Sequence, residues 1–195
     1  MHQASDFQYD LPPELIAQEP LSDRAASRLL VLDRTTGAIT HRQFSDLPSF
    51  VAAEDVLVLN TSRVIPARLR GTRDVGGGTS RAAAEILLVR ELPDGTWTAM
   101  GHPGGKLKPG RRVRVGPDSE IEILEVLGGG MRRVRFAGTL DARATLARYG
   151  TVPLPPYIRR APTDADRDRY QTVYAEHDGS VAAPTAGLHF TPDAL

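Results

Sequence analysis

Hydrophobic and polar positions alternate in short runs along most of this chain, and few stretches have the length of a long helix. An apolar run at residues 28–32 and a second run at 38–44, separated by a turn that ends at Gly37, predict a β-hairpin. One turn of helix is expected after the prolines at 12 and 13, and another at 47–51. The continuous apolar run at 55–60 predicts a strand buried on both faces.

The pattern changes after Arg63, where shorter strand candidates are separated by Gly, Pro and Asp turns. Six candidates follow one another, at 67–72, 83–91, 97–101, 111–115, 121–127 and 132–136. Triple glycines at 76–78 and 128–130 are typical of hairpin tips. Regular short strands with turn signals predict a small antiparallel barrel or sandwich.

After residue 140 the chain returns to a helical pattern. Residues 141–149 predict a helix that Gly150 ends, and prolines at 153–156 predict a rigid extended crossover. A second helix is predicted at 163–174, and Thr191 with Pro192 predicts the start of another, just before the chain stops. We therefore expect an α/β (α+β) main domain, incomplete at the C-terminus, formed by residues 1–65 and 151–195. A small antiparallel β-barrel domain is expected to be inserted at residues 66–150.

Composition narrows the possible classes of protein. The chain has 195 residues, 41% of them hydrophobic and 25% charged, which is ordinary for a folded domain. No apolar run approaches the roughly 20 residues of a membrane span, and the polar, acidic N-terminus is unlike a secretory signal, so we expect a soluble cytoplasmic protein. There are no cysteines, and none of the five histidines is paired at helical spacing, which argues against a metal site.

The net charge of zero argues against a strong grip on nucleic acid over the whole surface, but basic residues cluster locally. The cluster comprises Lys106, Lys108, Arg111, Arg112 and Arg114, with no acid among them. With Trp97 nearby in sequence, these residues are candidates for an RNA-binding face on the insertion. The alternative is an exposed Lys-Pro-Gly turn between strands.

The chemistry is expected near the C-terminus, in the run 181–191. His189 is the preferred general base or acid, because the ordinary pKa of histidine lies near neutrality. Thr185 offers a hydroxyl, and Gly187 permits a positive φ and a close approach of backbone to a ligand. The alternatives are a structural histidine beneath the loop and a tight turn before a helix.

Other candidates have equally plain alternatives. Tyr170 and Tyr174, four residues apart on a predicted helix, share one face and are candidates for stacking on a purine, or else belong to the core. Arg63 is a candidate for binding a carboxylate or phosphate, or else forms a salt bridge with Asp6 or Asp10. Arg159, with its neighbour at 160, suits phosphates or a solvated face. Neither a GxGxxG nor a GxxxxGK[ST] motif occurs.

Six runs carry a resemblance to a known family: DFQYDLP, PLSDRAASRLLVLDR, LVLNTSRVIPARL, VPLPPYI, YQTVYA and VAAPTAGLHFT. In this order they resemble the S-adenosylmethionine:tRNA ribosyltransferase-isomerases, over nearly the whole chain. The resemblance implies transfer of the ribosyl part of S-adenosylmethionine onto 7-aminomethyl-7-deazaguanine in tRNA, giving epoxyqueuosine and releasing adenine and methionine. S-adenosylmethionine is then a substrate and no cofactor is implied. Asn60 and Phe190, which lie in matching runs, are added as substrate-binding candidates.

Two departures from the family qualify this interpretation. Thr61 follows Asn60 where the family commonly has an acidic residue. Family members also continue well beyond Leu195, so we expect an N-terminal portion of such an enzyme. The alternatives are an inactive fragment that acts at most as an RNA-binding barrel, and an ordinary methyltransferase, which the missing glycine-rich loop disfavours. The full-length family is expected to be monomeric, whereas this chain is expected to self-associate through strands near Val56 and Val181 that lack sheet partners.

Overall fold

The computed structural model describes residues 3–75 and 80–195 of the chain. Its N-terminal part contains 3-10 turns at Ala4–Phe7 and Pro13–Leu15, followed by strands β1 (Arg28–Leu32) and β2 (Ile39–Gln43). The two strands pair antiparallel, which confirms the predicted hairpin, and a further 3-10 helix spans Phe44–Phe50. The early part of the chain thus consists of one hairpin and short helical turns.

The buried strand predicted at residues 55–60 is wrong. This stretch has no assigned secondary structure, and Val56 and Val58 are 86% and 87% exposed. A strand needs a partner for its backbone groups and cover for its faces. Among the described residues no strand pairs with this stretch. Its apolar pattern therefore favours a strand that does not form in this part of the structure.

A short parallel sheet joins the two ends of the main body. Strand β3 (Ser62–Val64) pairs with strand β10 (His177–Ser180), and Gln171 reinforces the contact by bonding Val64 with both ends of its side-chain amide. The amide oxygen accepts from the Val64 N–H at 2.9 Å, and the amide nitrogen donates to the Val64 carbonyl at 2.7 Å. The expectation that the strand near Val181 lacks a partner is therefore wrong.

Between these two strands lies a closed antiparallel barrel. All six predicted strands are present: β4 (Arg68–Asp74), β5 (Arg81–Glu91), β6 (Trp97–His102), β7 (Arg112–Gly116), β8 (Ser119–Val126) and β9 (Met131–Phe136). They close in the order β4-β5-β6-β9-β8-β7. The glycine run at 128–130 forms the β8–β9 turn as predicted, whereas the run at 76–78 lies outside the described residues.

The barrel interior holds the main hydrophobic core. Alternate residues point inward along each strand, so that Leu69, Ile86 and Ile121 have no exposed surface. Leu107, on the loop that follows β6, is also fully buried and belongs to the same core. Full closure leaves the barrel without open strand edges.

The barrel segment enters and leaves at adjacent points. Arg68 and Thr151 exchange two backbone hydrogen bonds, with N···O distances of 3.1 and 2.9 Å. Helix α1 (Ala142–Tyr149), which Asp141 caps, precedes this bridge and is tied to the barrel by a buried 2.8 Å hydrogen bond between Thr145 and Ser119. Gly150 ends α1 as predicted.

The second predicted helix is shorter than expected. Helix α2 (Asp164–Arg169) begins after its cap Thr163 but ends before Tyr170, because the following Gln-Thr-Val-Tyr run contains β-branched residues and turns away. The chain then closes with 3-10 turns at Thr185–His189 and Pro192–Ala194. A small second core packs the return segment onto β3 and contains Val64, Val152, Leu154, Tyr170 and Ala183. No helix in the described ranges is long and apolar enough to cross a membrane.

Candidate active site

The 3-10 turn Thr185–His189 carries the predicted chemical group. The Nδ1 atom of His189 lies 3.1 Å from the Oγ atom of Ser27, which immediately precedes β1. His189 is partly buried, whereas Thr185 lies exposed at the start of the turn. The structure therefore joins the predicted base to a hydroxyl from the opposite end of the chain.

Aromatic rings surround the histidine. The ring of Phe44 lies 5.4 Å from the His189 ring and 4.9 Å, edge to face, from the Phe190 ring. Tyr174 contacts Phe190 from another side at 6.2 Å. Phe190 is buried in this contact, so the structure places it in the wall that supports the turn.

Gly187 does not have a positive φ, so the reason for a glycine at this position is packing and not backbone conformation. A Cβ atom at this position would collide with the hydroxyl of Tyr174 and lie 2.9 Å from the Cγ2 atom of Thr172. The Oγ1 atom of Thr172 is itself buried and has no hydrogen-bond partner among the described residues. The predicted close approach at Gly187 is thus made to protein atoms of the YQTVYA run.

Arg24 holds this region together from the N-terminal side. Its guanidinium donates hydrogen bonds to the carbonyl oxygens of Gln171 at 2.7 Å, Leu188 at 3.0 Å and Asp168 at 2.9 Å. Burial and the nearby charge of Arg169 lower the pKa of Arg24 from its ordinary value. Arg24 therefore fixes the peptide next to His189.

The prediction that Tyr170 and Tyr174 share one helix face is wrong, because α2 ends before both. Tyr170 lies in the second core, and burial raises its pKa. Tyr174 packs against Gly187 and Phe190, and burial raises its pKa as well. The two side chains occupy different surroundings.

The remaining substrate-binding candidates form their hydrogen bonds with residues other than His189. Asn60 accepts the N–H of Ser62 at 2.8 Å and so forms a local turn. Arg63 donates to the carbonyl of Ala175 at 2.9 Å and lies 3.9 Å from Asp178, which replaces the acidic partners considered from sequence. Arg159 is exposed, and its backbone N–H donates to the side-chain oxygen of Gln18 at 2.6 Å.

Arg160, in contrast, is fully used within the structure. It forms a bidentate ion pair with Asp166, with N···O distances of 2.6 and 2.8 Å, and also contacts Glu19. This pair lowers the pKa of Asp166 to about 2. Because both groups are satisfied, Arg160 is a structural residue and the suggestion that it binds phosphate is wrong.

The predicted RNA-binding residues lie at one end of the barrel. Lys106, Lys108, Arg111 and Arg112 are all exposed, on or beside the loop between β6 and β7. Trp97 starts β6 and so lies at the opposite end of that strand, about 16 Å away at 3.3 Å per residue. The prediction that Trp97 shares a surface with the cluster is therefore wrong.

A cleft of about 1210 Å³ lies at this opposite end of the barrel. It is lined by Trp97, Arg90, Arg143 and the start of α1, and by none of the predicted site residues. The Nε1 atom of Trp97 is buried without a hydrogen-bond partner in the described residues.

Sequence reasoning missed three contributors to the site. Ser27 and Phe44 flank the hairpin, and no local signal indicated that both would meet His189. Thr172 lay inside a matching run but was not singled out. The site thus contains the hydroxyl of Ser27, the imidazole of His189 and the buried hydroxyl of Thr172, with aromatic side chains around them. Such groups can accept and return a proton.

Comparison with known proteins gives a consistent result. A family model described as "Queuosine biosynthesis protein" matches residues 4–195. The chain is 50% identical over its whole length to the S-adenosylmethionine:tRNA ribosyltransferase-isomerase of Syntrophomonas wolfei, and 49% identical over 98% of its length to that of Solibacter usitatus. It spans 54% and 58% of these two proteins, or about half of each.

A solved structure is also similar in sequence. The S-adenosylmethionine tRNA ribosyltransferase of Thermotoga maritima is 35% identical, with 97% of this chain and 52% of that protein covered and a TM-score of 0.38.

Proposed function

The chain belongs to the queuosine biosynthesis protein family, and on this premise we propose that it acts in ribosyl transfer and isomerisation on tRNA. The ribosyl part of S-adenosylmethionine would pass to 7-aminomethyl-7-deazaguanine in tRNA, giving epoxyqueuosine and releasing adenine and methionine. S-adenosylmethionine is a consumed substrate in this proposal, and no other cofactor is required. The observation that carries it is the contact between His189 and Ser27, since both lie in runs that resemble the family.

His189 is the proposed general base or acid. A proton leaves the carbon next to the sulfonium, adenine departs with a proton, and the aminomethyl nitrogen attacks the sugar and loses a proton. Closure of the epoxide then expels methionine. An imidazole exchanges protons readily near neutral pH, and Ser27 holds its Nδ1 side. Thr185, exposed beside it, is proposed to assist through its hydroxyl.

The other candidates receive binding roles. We propose that Arg63 and Arg159 meet carboxylate or phosphate groups, because both residues are exposed. Asn60 and Gly187 would offer polar backbone and side-chain groups. Tyr174 and Phe190, whose rings contact each other, would form an aromatic wall behind the substrate, and Tyr170 would contribute separately from the second core.

The second candidate is that the chain is an inactive fragment. It would then act at most as an RNA-binding barrel module. It is favoured by the exposure of Val56 and Val58 and by the coverage of about half of the relatives. We further propose a division into residues 1–65, 66–150 and 151–195, and a cytoplasmic location where tRNA is modified.

The test is release of adenine and methionine by the purified 195-residue chain, with and without tRNA carrying 7-aminomethyl-7-deazaguanine. Release that depends on the modified tRNA supports catalysis, and His189→Ala should then lower the rate at least 100-fold. His177→Ala is the matched control, because the His177 side chain is exposed and its ring lies 3.8 Å from the carboxylate of Glu176. Absence of release from a well-folded chain would favour the second candidate.

A further inference from the structure

Cations without acidic partners collect at one end of the barrel. Lys106, Lys108 and Arg111 are exposed, and within the described residues their side chains form no ion pair or hydrogen bond. No acidic residue occurs between positions 95 and 117. Other arginines of the barrel are paired with carboxylates, namely Arg68, Arg70, Arg81, Arg114, Arg133 and Arg135. The positive charge is therefore locally uncompensated at this end.

The loop that carries the lysines is held from within the barrel by Arg132. This residue is only 4% exposed, and its guanidinium donates to the carbonyl oxygens of Leu107 at 3.0 Å, Gly130 at 2.6 Å and Gly104 at 2.5 Å. No carboxylate among the described residues pairs with it. Its charge thus adds to that of the loop.

Leu107 fixes the same loop by a second means. Its side chain is fully buried in the barrel core, between the exposed Lys106 and Lys108. The two lysines therefore extend from a segment that is held in two ways, by the buried Leu107 side chain and by the hydrogen bonds from Arg132. An anchored segment loses less conformational entropy when it binds a ligand.

We propose that this end of the barrel is a docking face for the phosphate backbone of RNA, with Lys106, Lys108 and Arg111 as contacts and Arg132 as a positioning residue. Lysine and arginine without acidic partners suit phosphates, which need charge and no sequence-specific geometry. Arg112 contributes at the edge, because Glu120 shares its charge at 3.5 Å. The inference rests on the proposed function only in its choice of tRNA as the polyanion.

The test measures binding of a labelled, unmodified tRNA transcript to the full chain between 50 and 200 mM salt, without S-adenosylmethionine. Replacing both lysines, as Lys106→Ala with Lys108→Ala, should weaken binding and make the slope of log K against log salt shallower by about two. The matched control is Arg90→Ala with Arg143→Ala, which removes two charges from the cleft at the opposite end of the barrel. This control should bind within about twofold of the wild-type chain.

Arg132→Lys separates positioning from charge. A lysine keeps the charge, but it lacks the planar guanidinium with which Arg132 donates to three carbonyl oxygens. We expect weaker binding at every salt concentration with an unchanged slope, together with faster hydrogen exchange of the Lys106 and Leu107 amides. Thermal melting of each variant, at the assay temperature and above, establishes that the barrel is folded.

Several outcomes would overturn the proposal. They are an unaltered tRNA curve in the double lysine variant, an equal loss in the Arg90 and Arg143 control, tighter binding to anionic lipid vesicles than to tRNA, or no binding by the wild-type chain. An Arg132→Lys curve that superimposes on the wild-type curve would refute the positioning role. None of these measurements requires catalysis, so failure of the ribosyl transfer assay leaves the result interpretable.

Discussion

The Nδ1 atom of His189 and the Oγ atom of Ser27 are 3.1 Å apart, although 162 positions separate them in sequence. If this contact orients the imidazole for proton transfer, Ser27→Ala should lower adenine release about tenfold. Ser27→Thr, which keeps a hydroxyl, should retain most of the rate. Equal rates for Ser27→Ala and the wild-type chain would show that the contact is only structural.

The three-carbonyl contact of Arg24 predicts a local effect. Arg24→Lys should speed hydrogen exchange at the Gly187 and Phe190 amides, whose turn hydrogen bonds Arg24 supports through the Leu188 carbonyl. Amides of the barrel strands should be unaffected. Arg42→Lys is the control, because the Arg42 side chain is exposed and its guanidinium donates to the neighbouring His41 carbonyl at 2.9 Å. Uniformly faster exchange throughout the chain would contradict a local role.

Packing at Gly187 predicts a defined loss of stability. Gly187→Ala should lower the free energy of unfolding by about 1–3 kcal/mol, because the new methyl group collides with the Tyr174 hydroxyl. Adding Tyr174→Phe should restore part of this loss, as a double-mutant cycle in urea would measure. Gly105→Ala should be nearly neutral, since a Cβ there meets nothing within 4 Å. Additive effects of the two substitutions would disprove the collision.

The ion pair of Asp166 with Arg160 predicts a pH dependence. The pKa of Asp166 falls from 3.8 to about 2, so the pair stabilises the fold above pH 4 and this stability is lost as the pH falls toward 2. Asp166→Asn should therefore lower the free energy of unfolding, measured in urea, by about 3 kcal/mol at pH 5. Near pH 2 the loss should be much smaller. A difference that stays constant between these pH values would contradict this account.

The exposed stretch at 55–60 predicts self-association. Sedimentation or light scattering at increasing protein concentration should show a rising mass for the wild-type chain, since exposed apolar runs promote association. Val56→Ser with Val58→Ser should reduce it without lowering the melting temperature, because both side chains are already exposed. Val126→Ser, at an exposed barrel position, is the control. A wild-type chain that stays monomeric at all concentrations would refute the prediction.

The elements that sequence predicted correctly depend on local signals. The barrel strands are bounded by Gly, Pro and Asp turns, and α1 has a capping Asp141 and a terminal Gly150, so each is specified by its own residues. The stretch at 55–60 and the length of α2 depend on contacts with distant segments, which an apolar or helical pattern does not contain. A similar distinction holds at the candidate site: His189 was singled out from a single run, whereas its contacts with Ser27 and Phe44 depend on the fold.

The paired hydrogen bonds between Arg68 and Thr151 have an evolutionary consequence. Because the chain leaves the main body and returns to it at neighbouring points, hairpins of the barrel can lengthen or shorten without changing the separation of the flanking segments. Variation in how such proteins meet their partners can therefore accumulate in the barrel, while the residues around His189 keep their geometry.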